Sequence, residues 1–139
     1  MSRTLLAECE AGNISGVKNK IESGSDIEMA NDKGRTPLII ASVKGHLEIV
    51  KVLISSGVLI NEADDGGWTP LNTASCNGHL EIVKVLISSG ALINEANNEG
   101  DTPLNTASGK GHVEIVKVLI SSCALINQAN NGGRTPLYI

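Results

Sequence analysis

Three histidines stand at one interval: His46, His79 and His112 are each 33 residues apart. Imidazole is a common zinc ligand, so a regular set of three invites a metal reading. Asp64 and Asp65 are adjacent carboxylates, which suggests acid–base work, and Cys9, Cys76 and Cys123 supply thiols. Each chemistry needs its own geometry. Zinc needs donor atoms about 2 Å from one point. A nucleophilic thiol needs a neighbouring base and a depressed pKa. The elements that carry these residues decide whether either geometry is available.

Those elements repeat. Arg35-Thr36-Pro37-Leu38, Trp68-Thr69-Pro70-Leu71, Asp101-Thr102-Pro103-Leu104 and Arg134-Thr135-Pro136-Leu137 follow one another every 33 residues. Gly45-His46, Gly78-His79 and Gly111-His112 keep the same step, as do Leu59-Ile60-Asn61, Leu92-Ile93-Asn94 and Leu125-Ile126-Asn127. A period this regular takes precedence over local windows.

One unit, residues 64–96, reads as turn, helix, turn, helix, loop. Asp64-Asp65-Gly66-Gly67 is a turn, because Asp bonds its own backbone and Gly accepts positive φ. Thr69 caps a helix and Pro70 fills its first turn, where a missing N–H costs nothing. Leu71, Ala74 and Ser75 form a face of small residues that lets a neighbour approach, and Gly78 ends the helix in the left-handed region. In the second helix Leu80, Val83, Leu86 and Ile87 share a face, while Ile82 and Val85 widen it. Glu81 lies near the positive N-terminal end and pairs with Lys84 three residues on. Gly90 stops this helix. No unit can bury its apolar faces alone, but stacked units can.

The 33-residue period with T-P-L, then A-[S/A], G-H-x-E-I-V-x-x-L and G-A-x-x-N, resembles the ankyrin repeat over nearly the whole chain. The resemblance implies an all-α solenoid of helix–turn–helix units joined by hairpin-like loops. It divides the single domain 1–139 into an N-terminal capping repeat (1–30), full repeats (31–63, 64–96, 97–129) and a truncated fifth (130–139). The family's His after Thr-Pro-Leu is replaced here by Ile39, Asn72, Asn105 and Tyr138, so the Thr–His hydrogen bond is expected to be missing.

The two ends differ. Asn19 and Lys20 replace Val52 and Leu53 of the next copy, and Arg3-Thr4 replaces Thr36-Pro37, so the first repeat is polar where its siblings are apolar. That is the signature of a cap. The last residues begin a repeat without a second helix, which is expected to expose Leu104, Val116, Leu119 and Ile120. Such an end suits a shortened chain, intramolecular docking within a larger ankyrin protein, or a homodimer.

The composition narrows the function. Aromatics are nearly absent, with one Trp, one Tyr and no Phe, so aliphatic side chains must form the core. No apolar run approaches the roughly 18 residues of a membrane span. The net charge of −4 and the lack of a basic run argue against nucleic acid and anionic membrane as partners. The odd, widely spaced cysteines suggest free thiols in a reducing compartment, the cytoplasm or nucleus.

Chemistry then recedes. Helical layers lie about 8–10 Å apart, so histidines from successive units cannot converge on one ion. Asp64 and Asp65 sit in a turn whose sibling turns use Asn, and Cys76 has no base beside it. No catalytic, metal or cofactor site is expected. Asn61, Asn94 and Asn127 are expected to fix their loops by side-chain hydrogen bonds. Cys123 replaces the helix-ending Gly57 and Gly90, which forecasts a strained left-handed residue.

What remains is binding. Positions identical in every copy serve the scaffold, and positions that differ are free of that demand. The latter include Lys33 and Glu99 at turn tips and Arg35, Trp68, Asp101 and Arg134 before Thr-Pro. Ile39, Asn72, Asn105 and Tyr138 differ on the first helix, and Val43-Lys44, Cys76-Asn77 and Lys110 near its end. By resemblance these positions match the concave side on which ankyrin proteins bind other proteins. Trp68 is read either as an exposed anchor, since Trp is over-represented among interface hot spots, or as a ring packed over the neighbouring turn. The alternating charge of Arg35, Asp101 and Arg134 implies a protein partner of mixed charge. Leu59, Leu92 and Leu125, in register, either pack between loops or form an exposed stripe.

Overall fold

The computed structural model describes residues 3–136. Eight helices form four consecutive pairs: α1 (Leu5–Ala11) with α2 (Ile14–Glu22), α3 (Pro37–Lys44) with α4 (Leu47–Ser55), α5 (Pro70–Asn77) with α6 (Leu80–Ser88), and α7 (Pro103–Lys110) with α8 (Val113–Ser121). Each pair stacks on the next, giving the all-α solenoid expected from the period.

Local chemistry sets the boundaries. Thr4, Thr36, Thr69 and Thr102 each accept a hydrogen bond from the N–H three residues on. Gly12, Gly45, Gly78 and Gly111 end those helices with φ between 72° and 79°. First helices pack against first helices more densely than second helices pack against second. The cause is side-chain size. Ala41, Ser42, Ala74 and Ser75 are fully buried and let the inner row close up.

Leu38, Leu71 and Leu104, then Ile49, Ile82 and Ile115, then Leu53, Leu86 and Leu119 form three buried rows through the stack. Ile82 belongs to the most buried part of α6, while Leu80 and Ile87 are half-buried. Lys84 meets Glu81 at 3.4 Å, and Lys51–Glu48 and Lys117–Glu114 repeat the pair. These pairs are exposed and each contributes only a few tenths of a kcal/mol.

The first pair departs from its siblings at two linked positions. Glu8 stands where the others have Ala41, Ala74 and Ala107, and Gly16 stands where they have Ile49, Ile82 and Ile115. Glu8 is buried, and its Oε2 has no hydrogen-bond partner. A Cβ on Gly16 would meet the Glu8 carboxylate, with Cδ at 2.5 Å. The long side chain of α1 therefore occupies the space that an isoleucine of the second helix fills elsewhere.

The C-terminal expectation holds for Ile120, is half met by Val116, which is half-buried, and needs correction at Leu104 and Leu119. Leu104 and Leu119 are buried, at 1% and 0% exposure, because their own helix pair and the preceding pair, α5 and α6, cover them. The exposed large apolar residues at this end, among the described residues, are Val113, Ile120, Leu125 and Ile126.

Cys123 has φ 70° and is the one non-glycine with positive φ among the described residues; Gly57 and Gly90 have 89° and 98° at the equivalent place. Left-handed geometry costs an L-residue about 1–2 kcal/mol, partly offset by the greater freedom of glycine in the unfolded chain. Cys123→Gly is expected to raise the melting temperature by roughly 2–4 °C. An unchanged or lower value in a thermal scan would show that the strain is relieved locally.

Candidate binding face

The turn tips are built from one repeated device. Asn31, Asp64, Asn97 and Asn130 each accept two backbone N–H bonds through a side-chain oxygen, as in Trp68 N–H and Gly66 N–H to Asp64 Oδ1, both 2.9 Å. Each tip also bonds the preceding one. Asp65 N–H donates to Lys33 O, Asn98 N–H to Gly66 O and Asn131 N–H to Glu99 O, at 2.8–3.0 Å. Arg35 Nε lies 3.5 Å from Asp64 Oδ2, and Asn130 Nδ2 donates to Asp101 Oδ1 at 2.8 Å. The tips thus form one continuous, rigid edge.

On this edge Lys33 and Glu99 are exposed, Arg35, Trp68 and Asp101 are half-buried, and Arg134 is exposed. Near the first-helix ends Val43 and Cys76 are half-buried, and Lys44, Asn77 and Lys110 are exposed. Tyr138 lies outside the described residues. Lys44 reaches Glu10 at 3.2 Å, and Asn77 Nδ2 donates to Thr73 O at 2.8 Å.

Two members of the expected set, Ile39 and Asn72, do not belong to the surface, and a third, Asn105, shows only a small part of itself in the wall of the larger hollow described below. Ile39 and Asn72 are wholly buried and Asn105 is 7% exposed. The first helix lies between two neighbours and its own partner, which leaves little of it open beyond its last turn. Asn72 Nδ2 donates to Asp101 O at 2.8 Å, pinning the next tip. Asn105 Oδ1 accepts from the Thr102 hydroxyl at 2.7 Å, and its Nδ2 donates to Arg134 O at 3.3 Å. Asparagine thus restores the threonine bond at the third full turn and staples successive tips.

Trp68 is half-buried, correcting the reading of an open anchor. A Cβ on Gly66 would lie 3.1 Å from the indole Cδ1, so the ring rests on its own turn. With Cys76 it forms a ridge between two hollows. One, about 230 Å³, is lined by Arg35, Val43, Asp64 and Asn77. The other, about 710 Å³, is lined by Glu99, Asp101, Gly109, Lys110 and Arg134, with Thr106, Asn130 and Thr135 in addition. The last three were not anticipated. The available signal was Thr73 and Thr106 standing where the first full copy has Ile40.

The residues with chemical potential are otherwise employed. His79 Nε2 donates to Val43 O and His112 Nε2 to Cys76 O, both 3.0 Å, reaching back one repeat each. Each ring covers the preceding glycine, so that a Cβ on Gly45 would sit 2.6 Å from His79 Cε1. Burial, reinforced by the Glu8 charge, pushes the Cys9 thiol up to about 12, which removes thiolate reactivity. Asn61 and Asn94 do fix loops, accepting from Leu92 N–H and Leu125 N–H at 2.9 Å, with Glu28 doing the same for Leu59 N–H. Leu59, Leu92 and Leu125 are 57%, 51% and 56% exposed, so of the two readings the open stripe holds.

A family model described as ankyrin repeats matches three copies, over residues 5–97 and 90–139. The chain belongs to the ankyrin-repeat family. Among curated proteins none matches it significantly. Ankyrin repeats are in general protein–protein interaction modules and typically non-enzymatic scaffolds. Ankyrin geometry also explains the histidines: His79 and His112 tie one repeat to the one before by a hydrogen bond, while the His46 ring lies over Gly12. Among the described residues no helix is long and apolar enough to cross a membrane.

Proposed function

We propose that this ankyrin chain is a non-catalytic module that binds a partner protein along its concave side and turn tips. The observation that carries this reading is the pair of hollows divided by Trp68 and Cys76, on a face whose turn tips are joined by backbone bonds that leave the Lys33, Trp68, Glu99 and Lys110 side chains uncommitted. A rigid scaffold with free side chains is preorganised, so ordering them on binding costs little. Proteins retained from a cell extract by the wild-type chain are expected to be lost on Trp68→Ala. They are expected to be kept by Lys84→Glu, which alters the opposite side. Retention by Trp68→Ala would refute the concave reading.

A second reading rests on Val113, Ile120 and Ile126, 59%, 45% and 40% exposed around a shallow apolar depression at the C-terminal end. This end would pair two copies of the chain or dock within a larger one. Sedimentation equilibrium is expected to show a dimer that Ile120→Lys dissociates; a monomer at high concentration would exclude pairing.

A further inference from the structure

The two hollows differ in size and charge, and one of the differences between their linings is a missing side chain. Val43 and Cys76 stand at equivalent places in successive repeats, and the third place is Gly109. The hollow floored by Gly109 has about 710 Å³ against about 230 Å³ for its neighbour. The charges differ too. Arg35 and Asp64 neutralise each other in the smaller hollow. Glu99, Lys110 and Arg134 around the larger one make no ion pair among the described residues.

These charges are ordered along the stack. Trp68, Asp101 and Arg134 are 33 residues apart, one per repeat. The indole and the carboxylates of Asp101 and Glu99 border the same hollow, with Arg134 and Lys110 on its remaining rim. A cation beside Trp68 gains from the ring face and from both carboxylates. An anion gains at Arg134. A repeat rises about 8–10 Å and an extended chain about 3.3 Å per residue. From the gap between Trp68 and Asp101 to Arg134 is one and a half repeats, therefore about four residues of extended peptide.

We propose that the Gly109 hollow takes an extended peptide segment of the partner, with a basic side chain at Trp68–Asp101 and an acidic one at Arg134, about four residues apart. This rests on the concave-side reading and adds the chemistry of the partner. The test is selection from a display library of randomised dodecapeptides on the immobilised full chain. Enriched peptides are then titrated by fluorescence anisotropy. Enriched sequences are expected to carry Arg or Lys and Asp or Glu at that spacing. Glu99→Lys and Arg134→Glu, both at exposed side chains, are each expected to weaken binding about tenfold. Peptides that lose affinity on Trp68→Ala yet lack the spacing, or ignore both reversals, would overturn the charge pattern while leaving the concave site standing. Peptides indifferent to Trp68→Ala, or no enrichment at all, would overturn both.

Discussion

Replacing Gly45 by alanine is expected to lower stability by about 2–4 kcal/mol, while the same change at Gly111 costs only about 1 kcal/mol. Both glycines end a first helix in the left-handed region, with φ 79° and 76°. The intrinsic penalty for a side chain is therefore the same. The surroundings are not. A Cβ at Gly45 would press on the His79 ring, 2.6 Å from Cε1 and 2.9 Å from Nδ1, whereas nothing lies within 4 Å of a Cβ at Gly111. Making room moves the imidazole and puts at risk its bond to Val43 O, worth about 0.5–1.5 kcal/mol. Gly111→Ala is thus an internal control for conformational strain. Urea unfolding of the two variants gives the difference directly. Equal losses would show that the ring is not part of the interface between repeats.

The largest gain is expected from restoring in the first pair what its siblings possess. Glu8→Ala with Gly16→Ile should stabilise the chain by about 1–2 kcal/mol, although Gly16→Ile alone destabilises it. Alone, the new side chain collides with the Glu8 carboxylate, which already fills the space. With Glu8 removed, the isoleucine enters a site shaped like that of Ile49, which is 2% exposed. Burying it is worth about 1.5–3 kcal/mol, and losing a helical glycine adds about 0.5 kcal/mol. An orphan carboxylate oxygen also leaves the interior. Against this, the isoleucine crowds Asn13, whose amide nitrogen would lie 2.7 Å from the new Cβ and whose Oδ1 caps α2; that cap is worth about 1 kcal/mol. A double-mutant cycle should return a coupling of about 2–3 kcal/mol. Strict additivity would mean that the two side chains do not share a volume.

Much of this was legible in the sequence because it is local. Thr before Pro marks each first helix, Gly marks each left-handed end, and the substitution of Cys123 for glycine forecast a positive φ from composition at one position. Lys–Glu pairs follow from helical spacing. The burial of Ile39, Asn72 and Asn105 was not legible. Variation between copies was taken as freedom, yet those side chains meet the neighbouring repeat, and a single helix does not reveal that both its flanks are covered. The exchange of Ala41 and Ile49 for Glu8 and Gly16 was equally hidden, since each change looks like cap polarity until the two are seen to fill one space. The Gly109 hollow is lined from three successive repeats, Trp68, Asp101 and Arg134 among them, so its shape depends on residues far apart in the chain.

The bonds between neighbouring units, from Asn72 to Asp101, Asn61 to Leu92, Asn98 to Asp65 and His79 to Val43, span 29, 31, 33 and 36 residues and recur with the same step. The molecule is in this respect a one-dimensional crystal, and its defects follow crystal rules. A change confined to one tip side chain is a point defect, absorbed where it lies. One residue inserted inside a unit is a dislocation, for it breaks the phase of several bond rows at once. Removal of a complete period leaves matching edges face to face and the lattice intact.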